Sequence, residues 1–167
     1  EIRNCDWSSD VCSSDLWQVA KSNAAAKNHW FMEAFIDLAT RNIIDEFLHP
    51  DKLTAFASNY HLDDLVTSKE IGIVMAGNIP MVGFHDFLCV FLCGHRQVVK
   101  LSSKDDQLMR HIFHYLKENS SDVSNYITIS ERLTGCDAYI ATGNNSSADR
   151  KSTRLNSSHS SVSRMPS

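Results

Sequence analysis

The sequence Glu70-Ile-Gly-Ile-Val-Met-Ala-Gly-Asn-Ile-Pro-Met-Val-Gly-Phe-His-Asp-Phe-Leu, residues 70–88, decides the fold of this chain. Its apolar run 71–76 has the length and the β-branched content of a strand that is covered on both faces. Gly, Asn and Pro interrupt the run at 77–80, and from Met81 onward the apolar residues recur at helical spacing. The turn at 77–80 therefore follows the carboxyl end of a strand, where open α/β sheets bind ligands.

Strands and helices alternate after this stretch. We predict strands at 71–76, 97–101, 126–130 and 138–141, and helices at 81–93, closed by a left-handed Gly94, and 104–118. This alternation is typical of an α/β fold with a doubly wound parallel sheet, here a partial sheet. Its polar turns at 77–80, 102–103 and 142–147 all follow strands, so we expect them to meet at one sheet edge.

Two leader helices are predicted before the sheet, over residues 17–69. Apolar residues spaced by three and four, among them Trp30, Phe31 and Phe35, indicate one helix over 17–48. Asp51 is expected to cap a second helix that runs to residue 60. We assign these helices a packing role only.

The two ends of the chain differ from its middle. Residues 1–16 and 149–167 are rich in Ser, contain no Gly and show no apolar period. With one permitted set of codons, the reverse complement of the nucleotides that encode 1–16 encodes 149–163, and the string resembles a sequencing-library adapter. Two Ser-rich tails would explain the composition but not the complementarity. We therefore expect both ends to be artefactual and disordered, and residues 17–148 to be an internal fragment of a longer protein.

The composition bounds the class of protein. The 167 residues, 43% of them apolar, suffice for one domain with a core, and the net charge of -4 gives no reason to expect nucleic acid. No stretch is long and apolar enough to span a membrane. Outside the two ends three cysteines remain, with no Cys-x-x-Cys pair and no zinc-type spacing, so we expect no metal site and a reducing cytoplasm.

Several polar residues at the predicted sheet edge are candidates for chemistry. The Asn78 amide could donate a hydrogen bond to an oxyanion, although Asn also simply tolerates turn geometry. Lys100 could reach a phosphate or ribose, with hydroxyls from Ser102 and Ser103 beside it, although a solvated Lys at a strand end is more common. Gly143 begins a flexible segment that could approach a pyrophosphate, without the Gly-x-Gly-x-x-Gly motif.

The thiols and the histidine of the helix at 81–93 are weaker candidates. Cys89 and Cys93 lie in an apolar sequence, where burial leaves thiols inert, so we expect them in the core. His85 and Asp86 are adjacent and should point apart rather than form a dyad. We expect His85 at the surface.

Three sequence runs resemble one family when they are taken together and in order. The runs are Ile71-Gly-Ile-Val-Met-Ala-Gly-Asn-Ile-Pro, Gly94-His-Arg-Gln-Val-Val-Lys-Leu-Ser-Ser and Asp137-Ala-Tyr-Ile-Ala-Thr-Gly-Asn-Asn. They are similar to the acyl-CoA reductases, the family that includes the reductase subunit of bacterial bioluminescence, within the aldehyde dehydrogenase superfamily. The resemblance covers most of residues 65–148.

The resemblance implies a fragment of an enzyme that reduces a long-chain acyl thioester to an aldehyde with NADPH, through an acyl group on a cysteine. It places Asn78 in the oxyanion hole and Lys100, Ser102, Ser103, Gly143 and Asn144 at the cofactor. Leu101 stands where the superfamily has Pro, and Gly143-Asn144-Asn145-Ser146 replaces the family's Gly-Ser-Asn-Asn. The family's nucleophilic cysteine lies further downstream, and no residue here matches it, so this fragment is expected to be inactive.

Further expectations concern partners and rival functions. The substrate is expected to be an acyl-CoA or an acyl-protein thioester, and a homo-oligomeric state is left open for the parent enzyme. Two alternatives remain at this point: a fragment of an NAD(P)-dependent aldehyde dehydrogenase, and a nucleotide-binding module without catalysis.

Overall fold

The computed structural model describes residues 14–60 and 67–142. Three helices precede the sheet, and strands and helices alternate after them. The helices are α1 (Asp15–Lys27), α2 (Glu33–Ile43), α3 (Pro50–Asn59), α4 (Phe84–Leu92) and α5 (Gln107–Asn119), with a π-helical turn at Ile44–Leu48 and a 3₁₀ turn at Ser121–Asn125. The strands are β1 (Glu70–Val74), β2 (Arg96–Lys100), β3 (Ile127–Ile129) and β4 (Ala138–Ala141).

The four strands form one sheet in the order β3-β2-β1-β4, and every neighbouring pair is parallel. Val74 at the end of β1 is in register with Lys100 at the end of β2 and with Ala141 at the end of β4. The predicted α/β class is therefore confirmed, with a partial sheet of Rossmann-like type. Since β2 and β4 lie on opposite sides of β1, the strand order reverses between β1 and β4.

The core lies between the sheet and helices α4 and α5, and α1 adds Trp17, Ala20 and Ala24 to it. Ile73 and Val99 are fully buried on neighbouring strands, and Phe87 packs against Phe113 with 4.9 Å between ring centroids. β-branched residues favour the strands because their side chains fill the pleated surface without losing further rotamers. The polar residue Gln97 is buried in this core. Its side-chain amide has no hydrogen-bond partner among the described residues.

The leader segment corrects the prediction of one helix over 17–48. The helix stops at Lys27, and the chain turns before α2 begins at Glu33. Asn28 causes the break, because its backbone is extended and its side-chain oxygen accepts the N–H of Trp30 at 3.2 Å. Asn competes well for backbone groups in this way, which is why it favours helix ends over helix interiors.

The predicted cap of α3 is also wrong. His49, not Asp51, is the N-cap residue, and its Nδ1 accepts the N–H of Asp51 at 3.4 Å. Pro50 follows as the first helical residue, where its missing N–H costs nothing. The helix then runs to Asn59, one residue short of the predicted end.

Boundaries elsewhere shift by one to three residues from the predicted ones, while β4 has the predicted bounds. Gly94 ends α4 with φ +72°, as its position in the sequence predicts. Ser14, Asp15 and Leu16, which the sequence analysis assigns to the adapter-derived end, form the N-cap and first residues of α1. Residues 1–13 and 143–167, which hold the rest of both ends, lie outside the described residues. Within the part that is described, no helix is both long and apolar enough to cross a membrane.

Candidate functional site

The turns that follow β1 and β2 touch at the carboxyl edge of the sheet. A Cβ atom placed on Gly77 would lie 2.3 Å from Oγ of Ser102 and 3.3 Å from the backbone N of Asp105. Only a residue without a side chain fits at such a separation. The structure thus brings together two of the three predicted polar turns, and Gly77 is required for their contact.

Asn78 lies at the exposed tip of the first turn. Its carboxamide makes no hydrogen bond to the residues that the structure describes, so both N–H groups and the oxygen can meet a ligand. The backbone around Asn78 is anchored instead by Gly77 and Pro80, which are both buried. The backbone of the turn is therefore anchored on both sides of Asn78, while its carboxamide faces solvent.

The backbone just after Asn78 is strained. Met81 is buried with φ +56°, the one positive φ of a non-glycine residue in the described ranges. A residue with a Cβ atom in this region costs about 1–2 kcal/mol. The surrounding structure must compensate for this cost, and it does so through Asp105.

Asp105 holds the strained turn from the other loop. Its Oδ2 accepts the N–H of Met81 at 2.6 Å, and the residue is 3% exposed. Burial raises the pKa of this carboxyl to about 6, against the lowering effect of the Met81 hydrogen bond. Its Oδ1 has no partner among the described residues. Asp105 is not among the residues predicted from the sequence, where only its place beside Asp106 directly before α5 sets it apart.

The predicted cofactor residues of the second turn are partly engaged. Lys100 Nζ donates a hydrogen bond to the backbone oxygen of Glu131 at 2.7 Å, which leaves two further N–H donors on the ammonium. Ser102 Oγ accepts the N–H of Lys104 at 3.3 Å. Ser103 is exposed. Lys100 and the serines therefore retain donors that fit a phosphate or ribose, and one of Lys100's donors orders the β3–β4 loop.

The third turn is described only at its first residue. Gly143 and Asn144, the remaining predicted cofactor residues, lie outside the described residues. Thr142 follows β4, and its hydroxyl donates a hydrogen bond to Oδ2 of Asp86 near the start of α4. This bond joins the carboxyl end of β4 to the helix that follows β1, across the position where the strand order reverses.

His85 is exposed, as predicted, but it does not point away from Asp86. Its Nδ1 lies 4.0 Å from Asp86 Oδ1, which is within ion-pair distance and beyond hydrogen-bond distance. His85 Nε2 also lies 3.7 Å from Cys89 Sγ. The three side chains form a surface row on α4 rather than a catalytic pair.

The three cysteines that the structure describes are half-buried free thiols, so Cys89 and Cys93 are less buried than the predicted core positions. Burial, followed by the charge of Asp86, raises the pKa of Cys89. Burial, followed by the charge of Glu70, raises that of Cys136. A nucleophilic thiol needs a lowered pKa, and neither environment provides one. The described residues also contain no group of His, Cys, Asp and Glu suited to a metal ion.

A cleft of about 450 Å³ opens beside Asn78. The end of α1 and the loop after it line one wall with Lys27, Asn28, His29 and Trp30, and Gly77, Asn78 and Lys104 line the other. The leader helices are predicted to have a packing role only. The break after α1 also brings Lys27 and the three residues that follow it to the turn that carries Asn78.

Comparison with known protein families, with curated proteins and with solved structures found no match for this chain.

Proposed function

We propose that this chain is the dinucleotide-binding part of an acyl-CoA reductase, an enzyme that reduces a long-chain acyl thioester to an aldehyde with NADPH. The strand order carries the proposal. An all-parallel sheet with the order β3-β2-β1-β4 has the arrangement of the first four strands of dinucleotide-binding sheets, which bind their cofactor where the order reverses. Asn78 and Thr142 follow the two strands on either side of that position.

The residues at this edge fit the roles that the resemblance implies. NADPH, when bound, would supply the hydride. Lys100 and Ser102 would bind its ribose and phosphate, since Lys100 keeps two donors beyond its bond to Glu131. Gly143 and Asn144 are proposed to approach the pyrophosphate. Asn78 would donate an N–H to the thioester oxygen as negative charge develops there.

Asp105 supports Asn78 in this proposal. Its hydrogen bond to Met81 fixes the backbone three residues after Asn78, in a conformation that the chain would otherwise leave. An oxyanion donor is effective only when it does not need to reorganise during the reaction. Asp105 is therefore a positioning residue, not a group that contacts substrate.

Binding of the cofactor tests the proposal on the chain itself. We expect NADPH to bind and Lys100→Ala to weaken the binding about tenfold, the effect of about 1.4 kcal/mol that a charge-assisted hydrogen bond contributes. Lys69→Ala is the matched control, because Lys69 is exposed before β1 and lies at the opposite edge of the sheet. Isothermal titration calorimetry measures the NADPH affinity of the unmodified chain and of both variants. If the unmodified chain and Lys100→Ala bind NADPH with equal affinity, Lys100 is not part of the cofactor site.

The role of Asn78 is tested by turnover. The chain alone should not reduce acyl-CoA, since none of its residues matches the nucleophile. In a full-length parent protein, Asn78→Ala should slow NADPH oxidation with a long-chain acyl-CoA by about 10²-fold or more. Unchanged turnover would show that Asn78 is not the oxyanion donor.

Two rival functions predict other results. An NAD(P)-dependent aldehyde dehydrogenase would oxidise a free aldehyde and leave acyl-CoA unchanged. A nucleotide-binding module without catalysis would bind NADPH, yet its full-length parent would turn over neither substrate.

A further inference from the structure

The cleft beside Asn78 is lined by cationic groups and hydrogen-bond donors. Lys27 and Lys104 supply two ammonium groups, Asn28 and Asn78 supply amides, and no carboxylate is among its lining residues. The chain as a whole carries 20 Asp and Glu against 16 Lys and Arg. Lys27 is paired with Asp106, so Lys104 is the unpaired cation that makes the described lining of the cleft complementary to an anion.

Trp30 gives the cleft an aromatic wall that is almost uncovered by the residues that the structure describes. The residue is 84% exposed, the most exposed of the large hydrophobic residues in the described ranges. Its backbone is nevertheless fixed, because its N–H donates to Asn28 Oδ1 at 3.2 Å and the next residue, Phe31, is 1% exposed. The indole is thus held at the cleft by an ordered loop, with its ring free to stack on a planar molecule.

Lys104 faces the indole from an equally ordered loop. Its backbone oxygen accepts from Asn28 Nδ2 at 3.4 Å, and its N–H donates to Ser102 at 3.3 Å. Its ammonium has no ion pair among the described residues. The bond from Asn28 joins the two walls of the cleft, and the bond to Ser102 orders the loop that carries Lys104, so a ligand would meet a largely preformed backbone.

Lys27 is the second cation, and it is held in place by Asp106. Lys27 Nζ donates to Asp106 Oδ1 at 2.7 Å. Burial opposes ionisation of Asp106, but hydrogen bonds from Lys27 and Gln107 outweigh burial and keep the pKa of the carboxyl below its ordinary value. The ammonium has two remaining donors, and its side chain is 43% exposed.

We propose that this cleft is a nucleotide site, in which Trp30 stacks on the base while Lys104 and Lys27 bind a phosphate. Its volume of about 450 Å³ lies within the ordinary range for small-molecule sites. The inference deepens the proposed function by naming residues for the base and phosphate of a nucleotide ligand. It rests on the proposed function in one respect only, the choice of NADPH or CoA as the molecule that carries the nucleotide. Both contain an adenine nucleotide.

Calorimetric titration with ADP tests the site. We expect ADP to bind, and adenosine and pyrophosphate each to bind more weakly than ADP. The affinity for ADP should fall as NaCl is raised from 50 to 500 mM, about the range over which salt screens exposed charges. Trp30→Ala should weaken ADP binding about tenfold or more, as loss of a base-stacking aromatic does. Trp30→Phe should retain part of the affinity, and Lys104→Ala should weaken binding about fivefold and flatten the salt dependence.

Matched variants separate this site from the proposed function. Lys69→Ala removes the same charge far from the cleft and should change nothing. If Lys100→Ala weakens NADPH binding while Trp30→Ala and Lys104→Ala leave the binding of NADPH, CoA and ADP unchanged, the proposed function stands and the cleft inference is overturned. If the cleft variants weaken ADP, NADPH and CoA alike while Lys100→Ala is silent, the inference stands and the proposed cofactor site fails.

Two results would overturn the nucleotide site directly. One is no ADP binding at millimolar concentration by a parent chain whose circular dichroism shows it folded. The other is equal ADP affinity in the parent, Trp30→Ala and Lys104→Ala. Since Trp30 is 84% exposed, its replacement should not unfold the chain, and the same circular dichroism measurement checks this.

Discussion

The leader segment, residues 14–60, exposes some large aromatic side chains although it buries Trp17 and Phe31, whereas the sheet half, residues 70–142, packs its phenylalanines in the core. Phe87 and Phe113 are 2% and 1% exposed and pack against each other, whereas Trp30 and Phe35 are 84% and 49% exposed. Both regions show the same apolar spacing in the sequence. The difference teaches that periodicity predicts which side of a helix is apolar, but not whether another element covers it.

The leader helices are also not uniform. α1 buries Trp17, Ala20 and Ala24, while α2 buries only Ile36 and α3 buries no residue. α1 is therefore part of the core, and the following two helices contribute little to it. The cleft lies at the boundary, where α1 ends.

The largest expected effect comes from a pair of phenylalanines, one from each region. Phe87→Ala should lower the free energy of unfolding by about 3–5 kcal/mol, because it removes a buried ring and leaves a cavity. Phe35→Ala should change it by about 0.5 kcal/mol or less, because half of that side chain is already in water. Urea denaturation followed by circular dichroism measures both. Similar losses in the two variants would contradict the contrast between the regions.

A smaller effect is expected from Asp105, which lies in the sheet half beside the strained turn. Its folded pKa of about 6 exceeds the ordinary value of 3.8. As pH rises from about 4 to 6, the unfolded chain loses this proton before the folded chain does, so stability falls, and above about 6 the loss is complete. The free energy of unfolding falls by about 3 kcal/mol in total, at about 1.4 kcal/mol for each unit of pKa difference.

Asp105→Asn should remove this pH dependence, because the variant cannot ionise and its amide oxygen can still accept the Met81 N–H. Urea denaturation at pH 4 and pH 7 gives the difference. Asp106→Asn is the matched control of opposite sign, since the pKa of Asp106 is lowered and its contribution is lost as pH falls. If the unmodified chain and the Asp105→Asn variant show the same pH dependence of the free energy of unfolding, this carboxyl is not buried as described.

The smallest of these effects is expected at Gly77, where the two turns touch. Gly77→Ala should cost about 1–3 kcal/mol, as overpacking of a filled site does. Ser102→Gly should restore most of that loss, while Ser102→Ala should not, because the Cβ of residue 102 would itself lie 2.6 Å from the new methyl group. Thermal denaturation of the single and double variants measures the coupling. Additive losses would mean that the turns are further apart.

Much of the fold was predictable because it depends on local patterns. The run 71–76 indicated β1, Gly94 indicated the end of α4, and the alternation of strands and helices indicated a parallel sheet. Asn78, Lys100 and Ser102 were predicted at one edge for the same reason, since parallel strands carry their following turns to the same side. The exact helix limits were less predictable, because they depend on caps such as His49 that compete with equally plausible neighbours.

By itself, the sequence determined the α/β class, the parallel sheet and the edge at which the polar turns gather. Tertiary structure alone decided that Asp105 holds Met81, 24 positions away, and that Asn28 bonds to Lys104, 76 positions away. It also decided that the residues after α1 form one wall of a cleft, beside the turn that follows β1. The physical reason is range: propensity and periodicity act within a few turns of chain, whereas these contacts exist only after helices have packed on the sheet.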